Sequence, residues 1–204
     1  LPELADAANH IDVFCEPGIF DLERTRAIAE AGAAVGLPLK LHADQLERSG
    51  GALLGAELGA LSVDHLEQIT EDDARVLAES TTVATLLPGP ALMLGGGLPP
   101  ARALVDAGAT VAVASDANAG TFGEPSMPLA IGLAVVLGLT IDEAMWAATA
   151  GGAGALGMDG EIGRLLPGAY ADLVAWDTEH EGAFAQRLGG VRPLWTWFGG
   201  ETDE

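Results

Sequence analysis

Three polar residues interrupt runs that are otherwise apolar. His42 closes Leu39-Lys-Leu41, His65 closes Leu61-Ser-Val-Asp64, and Asp116 closes Val111-Ala-Val-Ala-Ser115. Imidazole and carboxylate bind a borderline metal such as zinc, and they also move protons near neutral pH. Each residue has a plainer reading as well. His42 reads equally as a satisfied histidine at a strand end, His65 as a structural partner of Asp64, and Asp116 as an Asx turn or helix cap in Ser-Asp-Ala-Asn-Ala-Gly. Around them, Cys15 reads as a buried thiol with no cation to activate it. Glu16 reads as an exposed turn carboxylate, His10 and His180 as solvated, and Trp146, Trp176, Trp195 and Trp197 as packing residues. The chain contains neither a Gly-x-Ser-x-Gly elbow nor a P-loop, and Gly95-Gly-Gly97 alone is weak evidence for a phosphate cradle.

Those side chains need a scaffold, and the pattern supplies one. Short β-rich runs alternate with Ala/Leu-rich helical stretches. The expected strands are Ile11–Cys15, Leu37–Ala43, Leu61–Leu66, Thr82–Leu87 and Thr110–Ser115. Helices are expected from Asp21 to about Val35, Ala52 to Leu58, Thr70 to Ser80, Pro99 to Ala107, and Thr140 to about Ala150. Thr70 with Asp73 and Thr140 with Glu143 have capping-box spacing. Pro88-Gly89-Pro90 reads as a loop that ends the fourth strand. Apolar strands separated by helices indicate a buried parallel sheet of βαβ units, either doubly wound or a (β/α) barrel. In both layouts His42, His65 and Asp116 fall on the carboxyl rim of the sheet, where such folds carry their sites. Cys15-Glu-Pro-Gly-Ile does not supply the glycine fingerprint of a dinucleotide fold. Beyond Gly154 the pattern changes to short antiparallel strands with glycine turns, within Glu161–Trp176 and Val191–Phe198. The expected division is therefore 1–155 and a smaller β unit over 156–204.

Composition narrows the classes. The chain has 204 residues, 49% of them hydrophobic, enough for a packed core. Nine Lys+Arg against 30 Asp+Glu give a net charge of −21, and Lys40 is the only lysine. Such a surface repels a phosphate backbone, so no nucleic-acid partner is expected. The longest apolar stretch, Leu129–Leu139, is too short to span a bilayer, so no membrane partner is expected. One cysteine and no basic leader fit a cytoplasmic protein. The first residue is Leu1 rather than Met, and the chain reads as a piece of a longer protein.

Leu-Lys-Leu-His42-Ala-Asp-Gln45, Ser-Val-Asp-His65-Leu-Glu, Val-Ala-Thr-Leu-Leu-Pro-Gly89 and Ala-Ser-Asp116-Ala-Asn118-Ala-Gly120-Thr121 resemble the second half of the imidazolonepropionases. These are histidine-degradation enzymes of the amidohydrolase superfamily. Ile-Asp-Val-Phe-Cys15-Glu16 and the closing Glu161-Ile-Gly-Arg-Leu with Ala-Asp-Leu-Val-Ala-Trp-Asp177 resemble them too, collinearly over nearly the whole chain. The resemblance implies a partial metal-dependent (β/α)8 barrel holding strands four to eight, with part of a small β-sandwich. It implies zinc or iron held by His42 and Asp116, and a catalytic pair of His65 and Asp116. Gln45, Asn118, Gly120 and Thr121 would contact the substrate, 4-imidazolone-5-propanoate. Among assemblies, a homodimer is the one expected. Two departures stand out: Ala119 replaces the family's usual proline, and the family's His-x-His pair is absent from these residues.

Another cyclic amidohydrolase or a deaminase on the same scaffold remains open, as does a non-catalytic remnant. Asn118-x-Gly120-Thr121 favours the imidazolone reading. A five-strand part of a barrel leaves two unpaired edges, so this segment alone is expected to be marginally folded and inactive.

Overall fold

The computed structural model describes residue 3 and residues 5–202; Leu1, where the sequence begins, lies outside them. Five strands, β1 (Ile11–Cys15), β2 (Leu39–Ala43), β3 (Ser62–His65), β4 (Val83–Leu86) and β5 (Val111–Val113), pair in parallel and in chain order. A doubly wound sheet reverses its strand order at a switch point, and this one does not. Sequential order is the layout of a (β/α) barrel, here an open arc of one.

Alternation along each strand decides what faces where. Leu39, Leu41 and Ala43 of β2 are buried against helices, while Lys40 and His42 point to the concave side. β3 and β4 are buried on both faces, as central parallel strands are. The helices α1 (Leu22–Ala33), α2 (Gly51–Leu58), α3 (Glu71–Ala78) and α5 (Ala101–Ala107) connect consecutive strands. Asp21 caps α1 through the Arg24 amide, and α3 opens on the expected Thr70/Asp73 box. α2 lies unusually close to the sheet. A Cβ at Gly51 would come within 2.8 Å of Ala43 Cβ, and one at Gly55 would overlap Val63.

Three helices depart from the expected pattern. Pro88-Gly89-Pro90 is not a loop: Pro88 and Pro90 occupy the first turn of α4 (Pro88–Leu94), where a missing N–H costs nothing. The apolar stretch near Leu129 forms α6 (Met127–Val136), capped by Ser126 and buried nearly all round, so it shows no amphipathic period. α7 (Ile141–Trp146) opens on the Thr140/Glu143 box and continues through a π turn, Ala147–Gly151, into α8 (Gly152–Ala155).

The remaining residues form an antiparallel sheet of β6 (Leu173–Trp176), β7 (Pro193–Phe198) and β8 (Glu201–Thr202). This is narrower than expected, since Glu161–Asp172 contributes no strand. A short helix, α9 (Ala183–Gln186), buries Phe184 edge-on against Trp176, with ring centroids 5.3 Å apart. Trp176 therefore packs as expected, but Trp195 and Phe198 stand largely exposed on β7. No second sheet faces this one among the described residues.

Candidate active site

The concave side is built in layers. Strand register places Phe14, His42, Asp64, Thr85 and Ala112 side by side, with Asp12, Lys40 and Ser62 one layer below. His42 Nδ1 lies 3.0 Å from Asp12 Oδ1. An ionised carboxylate only accepts, so the hydrogen sits on Nδ1 and the Nε2 lone pair is left for the rim. The Asp12 bond raises the His42 pKa against the opposing effect of burial. Burial pushes Asp12 up, but His42 and Lys40 together hold it below the usual carboxylate range. The suggested Asp64–His65 pair does not form. Asp64 instead accepts from Ser62 Oγ at 2.7 Å, and Lys40 donates to Ser62 and to the Ala155 carbonyl.

His65 ends β3 in an unusual backbone: its φ is +85° and that of Leu66 is +70°. Two successive left-handed residues, neither of them glycine, cost energy and mark a constrained turn. The turn buries the imidazole and sets Nδ1 3.4 Å from Glu67 Oε1 and Nε2 3.9 Å from Asp116 Oδ2. The His65 and His42 rings stand 5.4 Å apart. Asp116, also left-handed at φ +50°, follows β5 and is partly exposed.

Two loops complete the rim. After β2, Asp44 accepts from the amides of Ser49, Gly50 and Ala52, which fixes the entry to α2. Glu16 is not an exposed turn carboxylate. It is 1% exposed, and its Oε1 accepts from the Gln45 and Leu46 amides. Burial pushes its pKa up against those donors. The Gln45 backbone is thus pinned, while its side-chain amide makes no hydrogen bond among the described residues. In the loop after Asp116, Asn118 Oδ1 accepts from the Gly120 and Thr121 amides, and its Nδ2 donates to the Asp116 carbonyl and Thr121 Oγ1. The Asn118 amide therefore shapes its own loop.

One cavity of about 330 Å³ gathers these groups: Phe14, His42, Gln45, Leu46, His65, Leu94, Asp116, Asn118 and Thr121 line it. Gly120 does not. His10, just before β1, is half-buried and bonded to the Leu156 carbonyl rather than solvated. Cys15 is buried as expected, and burial raises its pKa. His180 is exposed, also as expected.

Two donor sets could hold a cation. Asp12, His42 and Asp64 offer atoms within 4.8 Å of one another. In that set, however, Asp12 is spent on His42 and Asp64 on Ser62, and the Lys40 ammonium beside them opposes a second positive charge. The rim pair is better suited. His42 Nε2 and the Asp116 carboxylate have no hydrogen-bond partner among the described residues, and both line the cavity. One imidazole nitrogen and one carboxylate oxygen fit zinc or iron and leave the remaining positions to other ligands.

Sequence reasoning passed over Asp12 and Glu67, the carboxylates behind the two imidazoles. Their signal was periodicity. Asp12 lies two residues before Phe14 and so shares the concave face, and Glu67 follows the histidine at the end of β3.

Sequentially ordered parallel strands with imidazoles and a carboxylate on their carboxyl rim define a barrel-type α/β protein, with rim groups whose chemistry could hold a metal or move protons. Residues 22–202 match the Amidohydrolase family, and the chain belongs to it. It is 49% identical over 190 residues to an imidazolonepropionase of Streptomyces coelicolor, covering 93% of this chain and 48% of the relative. It is 50% identical over 194 residues to one of Salinispora arenicola, covering 92% and 49%. The chain thus spans about half the length of the curated relatives it matches. Among solved structures, an adenosine deaminase from Xanthomonas campestris with bound zinc superposes with a TM-score of 0.78 at 22% identity, over 94% of this chain and 50% of that one. An amidohydrolase from a Sargasso Sea sample gives 0.75 at 21% identity, over 95% and 48%. These two likenesses speak for the fold.

Proposed function

We propose that the protein containing these residues hydrolyses the ring amide of 4-imidazolone-5-propanoate to N-formimidoyl-L-glutamate, a step of histidine degradation, in the cytoplasm. The observation that carries this reading is the single cavity lined by His42, Gln45, His65, Asp116, Asn118 and Thr121. The identity near one half to imidazolonepropionases supports the same substrate.

His42 and Asp116 would hold zinc or iron, together with ligands outside this chain. A metal there supplies Lewis acidity, which makes water a competent nucleophile near neutral pH. The Asp116 carboxylate takes the proton of the attacking water and returns it to the departing ring nitrogen. His65, carrying hydrogens on both ring nitrogens between the Glu67 and Asp116 carboxylates, donates from Nε2 to the carbonyl oxygen as negative charge grows there. Gln45 offers a free amide that can pair with the ring's N–H and C=O edges. The Asn118 loop, with Thr121 on the cavity wall, orients the propionate arm. The β6–β8 sheet would be one side of a small sandwich, and the whole protein would pair as a homodimer.

The test is metal content and imidazolonepropionate hydrolysis by the protein from its complete reading frame, beside residues 1–204 alone. About one metal per chain and turnover in the long form only supports the reading. Metal without turnover of this substrate redirects the assignment to another cyclic amide.

A further inference from the structure

Glu67 stands behind His65 as Asp12 stands behind His42. Each carboxylate meets the Nδ1 of an imidazole whose ring lines the rim cavity. The two differ in setting. Asp12 is partly open to solvent, whereas Glu67 and His65 are each 3% exposed in their side chains. Glu67 Oε2 is buried with no hydrogen-bond partner among the described residues. A carboxylate in that position weakens the folded state unless it has another duty. The backbone cost falls on the same place, with left-handed His65 and Leu66 leading directly into Glu67. Burial, an orphan oxygen and backbone strain thus converge on one side chain whose only hydrogen-bonded neighbour among the described residues is the imidazole.

We propose that Glu67 is a positioning residue for His65. Its Oε1 accepts the Nδ1 hydrogen, fixes the ring's orientation, and so turns Nε2 toward Asp116 and the cavity. The ring then meets a reacting oxygen without reorganising, which is where fixed donors gain their effect. The kinetic part of this proposal rests on the hydrolysis proposed above; the placement of the ring does not.

The experiment compares Glu67→Met, which keeps length but removes the acceptor, with Glu67→Gln, which keeps an acceptor oxygen, both in the metal-loaded protein from the complete reading frame. The Nδ1 hydrogen of His65 is followed as a low-field proton resonance, identified by its loss in His65→Gln. The expected result is that E67M loses the resonance and lowers kcat roughly 10- to 100-fold with KM within about twofold. Its melting temperature should hold or rise, because a buried unpaired charge is gone. E67Q should restore the resonance and most of kcat. A resonance and kcat both unchanged in E67M would overturn the proposal. So would a fall in kcat that tracks a fall in melting temperature and is not rescued by E67Q. If the parent protein does not turn over imidazolonepropionate, the substrate assignment fails, and the resonance alone then decides the role of Glu67.

Discussion

The Nε2 of His65 lies 3.9 Å from Oδ2 of Asp116, although the two residues leave the ends of non-adjacent strands, β3 and β5. That gap is too long for a direct hydrogen bond and leaves the two groups facing a shared space. Groups so placed can act on opposite ends of one bond. Changing His65 to Gln or Asp116 to Asn in the full-length protein should therefore lower kcat by about 10²–10⁴-fold. Expression should stay close to the parent's in both, and so should the melting temperature of His65→Gln. Steady-state kinetics beside thermal unfolding checks this, and near-normal turnover in either variant would remove the assigned roles.

Asp12 orients the imidazole that would bind metal. Carboxylates behind metal-ligating histidines typically contribute 10- to 100-fold in metal affinity. Asp12→Asn should weaken metal retention by roughly that factor, and His42→Ala should lose more. Competition against a chelator measures both. If D12N holds metal as tightly as the parent, the Asp12 bond is structural only.

Arg48 grips Asp73 through two bonds of 2.8 Å, tying the loop after β2 to the first turn of α3. With Thr70 adding a backbone donor, the guanidinium holds the Asp73 carboxyl at about 2, below its ordinary 3.8. Because the folded value is the lower one, the stabilisation is complete above about pH 4. It declines as pH falls and is gone below about pH 2. Its size is about 2 kcal/mol before screening at the half-exposed Arg48. Asp73→Asn should therefore unfold earlier in urea at pH 7, with the difference from the parent closing toward pH 2. A pH-independent difference would point to the lost helix cap instead.

Helix α2 has no room above β3. Gly55→Ala would drive a methyl group into Val63 and crowd Leu41. The expected cost is about 1–3 kcal/mol, read as a lower urea midpoint with an unchanged slope. An unchanged midpoint would mean that the helix can lift away freely.

The parallel framework was readable in the sequence because each strand is a short apolar run and each cap is a local motif. Thr70/Asp73 and Thr140/Glu143 announce helix starts within four residues. α6 was not readable as a helix, since burial on every side removes the periodicity that marks one. α4 was hidden by Pro88-Gly89-Pro90, whose composition suits a turn and a first helical turn equally. Of the rim, His42, His65 and Asp116 were visible because a polar residue ending an apolar run is conspicuous. Glu16 was misjudged because burial depends on what packs over a turn. The loop carrying Gln45 covers it, and that is a tertiary fact. The self-bonded state of Asn118 was likewise invisible, since which partners its amide takes depends on how its loop folds back.

Lys40 carries the chain's only side-chain amine, and it faces the concave side, bonded to Ser62 and the Ala155 carbonyl. Every other basic side chain apart from histidine is a guanidinium. Lysine acylation therefore has one target in these 204 residues, a partly buried one. An amine-directed reagent applied to the native protein should react there slowly, and at full speed once the strand layer opens. The residue would serve as a built-in chemical clock for opening of the strand layer, read from the mass of the peptide that carries it.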